Sequence, residues 1–141
     1  MKEKSTDNLL QELMSAPNLD TYIKENSSYF SDQSVAGLLT ALYDRKSISK
    51  ATLARQSGMS EVYLHQVFSG RRNPSRDRLI CLCIGLGITL EETQHLLAQA
   101  SYAQLYPKIK RDAVIIHGIV RQAGLDAIND KLFAEGEKAL I

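Results

Sequence analysis

The chain has 141 residues, of which 44% are hydrophobic, 23% charged and 6% aromatic, the balance of a folded globular protein rather than a disordered one. No apolar run comes near the ~20 residues that span a bilayer, and the opening MKEKSTDNLL lacks the apolar stretch of a secretory signal, so the expectation is a cytoplasmic protein with no membrane contact. Net charge is +1 but unevenly spread: residues 45–78 hold 8 basic and 2 acidic side chains, a +6 block between a −4 segment (3 basic, 7 acidic) and a −1 segment (6 basic, 7 acidic), which points to a polyanionic partner.

Almost every segment reads as helix. After Ser5, Thr6 and Asp7, the residues Leu9, Leu10, Leu13 and Met14 form an apolar stripe that stops at Pro17. Asn18 opens a second short piece with Leu19, Tyr22 and Ile23 on one face. Residues 1–31 are thus a helical N-terminal extension, packed on the body or free as an arm. From about Asp32 to Arg45, Val35, Leu38, Leu39 and Leu42 recur at helical spacing. Ser49 caps a helix from Lys50 to Ser57, and Ser60 caps the next, from Glu61 to about Phe68. GRRNPS, from Gly70 to Ser75, is a loop by composition. Ser75 caps a fourth helix through Leu79, Ile80, Leu82 and Ile84, ending at Gly85 or Gly87. Thr89 and Glu92 make a capping box before a fifth helix that carries Leu90, Leu96 and Leu97.

Beyond Tyr102 the pattern resumes after Pro107. Val114, Ile115, Ile116, Ile119 and Val120 are β-branched enough for a strand, but the length of the segment, its start after a proline and its stop at Gly124 favour a helix. Leu125, Ile128, Leu132 and Phe133 then repeat at helical spacing. The resulting terminal hairpin, residues 102–141, either closes the core or forms a dimer contact.

Reactive residues are few. Cys81 and Cys83 lie two apart in an apolar helix, roughly 200° from one another, and read as core thiols. His65, His95 and His117 are scattered without ligands at metal spacing, so neither a metal nor another cofactor is expected. No serine or cysteine sits beside a histidine, and no glycine-rich phosphate loop occurs, so the chain does not read as an enzyme.

LARQSGMSEVYLHQVFSGRRNPSRD, from Leu53 to Asp77, carries the one specific motif. Two helices packed steeply through a short turn need a small residue at their closest approach, met by Ala54. They also need a positive φ in the turn, met by Gly58. Leu53, Met59, Leu64 and Val67 occupy the positions that pin the second helix on the first. With these residues in place, Lys50 to Ser69 resembles the helix-turn-helix of the phage Cro and repressor family, the XRE family of bacterial transcription regulators. The resemblance implies an all-α, five-helix lambda-repressor-like domain over residues 32–101, between the N-terminal extension and the C-terminal hairpin, with the third helix reading double-stranded DNA.

The same resemblance implies that Glu61, Val62, Tyr63 and Gln66 face the bases: Gln66 with adenine, Val62 or Tyr63 with a thymine methyl, Glu61 with a cytosine amine. It places Lys50, Ser69, Gly70, Arg71, Arg72 and Asn73 on phosphates. Arg76 and Arg78 complete the basic cluster and add sequence-independent affinity. The function expected is a sequence-specific regulator acting as a homodimer. The alternative is a protein-interaction adaptor that keeps the helix-turn-helix as scaffold and binds a protein partner through its extensions.

Overall fold

The computed structural model describes residues 4–27 and 34–141, so the expected helix start at Asp32 lies outside the described residues. Among the described residues there are nine helices and no strand, the all-α class that the sequence predicts. They fall into two compact units.

The first unit holds α1 (Thr6–Ser15) and α2 (Leu19–Glu25). Ser5 caps α1 by accepting from the Asn8 amide, and Asn18 caps α2 by accepting from those of Asp20 and Thr21. Polar groups tie the pair: the buried Asn26 accepts from Lys4 Nζ at 2.7 Å and donates to Glu12 Oε1 at 3.0 Å. Leu10, Leu13, Met14, Leu19 and Ile23 are exposed.

The second unit contains α3 (Val35–Asp44), α4 (Lys50–Gln56), α5 (Glu61–Phe68), α6 (Arg76–Leu86), α7 (Leu90–Gln99), α8 (Lys110–Val120) and α9 (Leu125–Ala134). Ser34, Ser49, Ser60, Ser75 and Thr89 each accept from the amide three residues on, which places five helix starts by local chemistry. Thr89 and Glu92 complete the capping box.

α6 is buried almost all round and forms the centre: Leu79, Ile80, Cys81, Leu82, Cys83 and Leu86 are all in the core. It ends at Gly87, whose φ of +63° makes the left-handed stop; Gly85 remains inside the helix. The terminal hairpin closes this same core, burying Ile115, Ile119, Leu125, Ile128 and Leu132.

One expectation at the hairpin needs correction. Gly124 does not end α8. The helix stops at Val120, the left-handed residue after it is Gln122 (φ +56°), and Gly124 is the N-cap of α9. All four apolar residues of the second hairpin segment lie in α9 as expected, with Leu132 fully buried and Phe133 84% exposed. Consecutive helical residues point about 100° apart, so Leu132 and Phe133 cannot share one narrow face.

Candidate nucleic-acid interface

The turn between α4 and α5 is a hydrogen-bonded stop. The Met59 amide donates to the Ala54 carbonyl at 2.9 Å and the Gly58 amide to the Arg55 carbonyl at 3.3 Å, with Gly58 at φ +67°. This is the Schellman arrangement, which satisfies carbonyls that α4 would otherwise leave unpaired. Leu53, Ala54, Leu64 and Val67 are buried and Met59 is half-buried, as the motif demands. The terminal hairpin leans on the turn: a Cβ at Gly58 would lie 3.2 Å from Leu125 Cδ2 and 3.3 Å from Ile141 Cδ1.

α5 turns its inner face to the core and presents Glu61, Val62 and His65 outward, Val62 at 68% exposure. His65 Nε2 lies 3.9 Å from Glu61 Oε1 one turn away. The sequence reading assigns no role to His65, although counting 61, 62 and 65 around a helix places it on the same face. Tyr63 is half-buried against the core, and its ring carries two guanidinium groups, Arg78 at 4.6 Å and Arg72 at 5.4 Å.

The second stop repeats the first. Gly70 adopts φ +81°, its amide donates to the Val67 carbonyl at 3.1 Å, and the amides of Arg71 and Arg72 donate to the Gln66 carbonyl at 3.0 and 3.2 Å. Ser69 Oγ donates to that carbonyl too, at 3.1 Å. Further on, the Tyr102 hydroxyl donates to the Pro74 carbonyl at 2.6 Å and Ser75 caps α6. The loop is therefore held at both ends, with Arg71, Arg72 and Asn73 exposed between them. Among the described residues Arg71, Arg72 and Arg78 have no carboxylate partner.

Two of the basic residues that the sequence assigns to DNA are engaged inside the protein. The Arg76 guanidinium donates to the carbonyls of Ala103 and Gln104 and to Asp112 Oδ2 at 3.2 Å, joining α6 to α8 rather than reaching outward. Next to it Arg111 pairs bidentately with Asp77, at 3.1 and 3.0 Å. Two Arg-Asp dipeptides thus exchange ion pairs across α6 and α8. The Lys50 ammonium lies 3.6 Å from the Phe68 ring centroid and 4.4 Å from that of Tyr43. Burial there holds its pKa below the ordinary lysine range, against the opposing pull of Asp44.

Among the described residues no group of histidine, cysteine, aspartate and glutamate side chains could hold a metal ion, and no helix is long and apolar enough to cross a membrane. No curated protein and no solved structure matches the chain. Residues 34–96 match the family model described as a helix-turn-helix domain, the segment that α3 to α7 build around α4 and α5.

Proposed function

We propose that the chain is a sequence-specific DNA-binding transcriptional regulator of the Cro and repressor (XRE) type. It works in the bacterial cytoplasm as a homodimer on a palindromic site with half-sites about one helical turn apart. The observation that carries this reading is the outward face of α5 lying beside three arginines that no carboxylate among the described residues neutralises. Glu61, Val62, Tyr63 and Gln66 meet base edges, while Ser69, Gly70, Arg71, Arg72, Asn73 and Arg78 meet phosphates. Lys50 contributes positive charge from its aromatic corner, and Arg76 serves by fixing the start of α6. Residues 1–31 and the hairpin, residues 102–141, are left for the homodimer contact or a protein partner.

Selection of bound duplexes from a random pool by the 141-residue chain tests this. Enrichment of a palindrome is the expected result, and Arg71→Ala should weaken binding to every sequence alike while lowering the salt slope by about one. Equal binding to all duplexes would refute sequence-specific recognition. Recovery of a single stoichiometric protein partner in its place would favour the adaptor reading, which the carboxylate of Glu61 and the exposed Val62 would then explain.

A further inference from the structure

We propose that Gln66 and Arg72 form one reading unit, in which Gln66 aims the Arg72 guanidinium and the Arg72 fork reads a guanine in the major groove. The inference rests on the DNA-binding reading above and departs from it in two places: Gln66 is not an adenine reader, and Arg72 is not one more phosphate contact.

The backbone comes first. Because the Arg71 and Arg72 amides both donate to the Gln66 carbonyl, residue 72 begins at a fixed place against the last turn of α5. Its side chain then runs back along the helix. Nε donates to Gln66 Oε1 at 3.0 Å and the guanidinium lies over the Tyr63 ring. A side chain seeking phosphate needs no such aiming, and among the described residues no side-chain hydrogen bond aims its exposed neighbour Arg71.

The choice of atoms matters as well. With Nε occupied, the Nη1 and Nη2 edge is left without a protein partner among the described residues. That edge offers two parallel donors in one plane, which match guanine O6 and N7, the pair of acceptors no other base presents in the major groove. Adenine asks something else of Gln66: an oxygen to accept from N6 and an amide nitrogen to donate to N7. Gln66 Oε1 already accepts from Arg72 in the free chain. An acceptor that buttresses an arginine explains that geometry directly.

The test repeats the random-pool selection with the wild-type 141-residue chain, Arg72→Lys and Gln66→Glu, together with affinities for an unrelated duplex. The wild-type motif should contain a guanine in each half-site. Arg72→Lys keeps the charge and loses the fork, so preference for that guanine should fall about tenfold or more while affinity for unrelated duplex changes little. Gln66→Glu keeps an acceptor for Nε but cannot donate to adenine N7, so the guanine should survive with lower overall affinity. If Arg72→Lys weakens all sequences equally with the motif intact, Arg72 grips phosphate and the inference fails. Loss of an adenine on Gln66→Glu, with the guanine unaffected by Arg72→Lys, would restore Gln66 as a direct reader. A wild-type chain that enriches no motif removes the DNA-reading proposal itself, an outcome distinct from a motif indifferent to residue 72.

Discussion

α4 and α6 meet so closely at Ser57 and Gly85 that two small substitutions there should be strongly coupled. Ser57 is fully buried at the end of α4, and its Oγ has no hydrogen-bond partner among the described residues. A buried, unpaired hydroxyl costs about 1–3 kcal/mol, so Ser57→Ala should stabilise the fold by about 1 kcal/mol. Gly85 lies opposite, inside α6. A Cβ added there would sit closer than 3.0 Å to Ser57 Oγ, but at 3.3 Å from Ser57 Cβ and from Leu53 Cδ1. Gly85→Ala alone gains about 0.5–1 kcal/mol of helix propensity and loses about 1–3 kcal/mol to overpacking, for a net loss of about 1 kcal/mol. With Ser57→Ala already present the obstructing oxygen is gone, the remaining contacts are tight but tolerable, and the propensity gain should appear. The coupling between the two is therefore about 2 kcal/mol, far outside the ~0.5 kcal/mol within which independent sites add. Equilibrium urea unfolding of the four chains, compared at constant m value, measures it. Additive effects, or a destabilising Ser57→Ala, would refute the claim that a sealed, unpaired hydroxyl limits this contact.

The remaining expectations concern other parts of the same body. Gln122→Gly should raise stability by about 1 kcal/mol in the same urea assay, because a side chain at φ +56° is strained where glycine is not. Cys81 and Cys83 should resist alkylation in the native state at pH 8 and react together on unfolding. Burial pushes both thiols up to about 12, leaving almost no thiolate; fast labelling of either would show that α6 opens locally. The Thr89 amide first, then Arg45, holds the Glu92 carboxyl below its ordinary value. A carboxylate with a depressed folded pKa contributes stability above its unfolded pKa of about 4.5 and loses it as pH falls through the folded value. Glu92→Gln should therefore flatten the acid limb of the stability profile below about pH 4.5 and leave its shape near pH 7 unchanged.

The elements legible in the sequence are those whose causes lie within four or five residues. Ser49, Ser60, Ser75 and Thr89 announce helix starts because the amides they accept from are three residues away. Gly58 and Gly70 announce turns because a positive φ is a local requirement. Gln122 shows the limit of that signal: the same conformation occurs on a residue whose type does not advertise it, so the sequence pattern misplaces the end of α8 at Gly124.

The candidate site divides the same way. The resemblance to the Cro and repressor helix-turn-helix implies the exposed face of α5, and composition supplies the arginines after it. Which arginines look outward is decided by partners far along the chain: Arg76 is taken by Asp112, 36 residues on, whereas Arg72 turns back to Gln66 and Tyr63. Lys50 likewise looks like a free surface cation until Tyr43 and Phe68 close around it. Sequence by itself thus determined where most of the helices lie, their serine and threonine caps and the helix-turn-helix, because these depend on dihedral angles and hydrogen bonds among near neighbours. Only the tertiary structure decided which charges are engaged inside the protein, because ion pairs and ring contacts depend on which surfaces packing brings together.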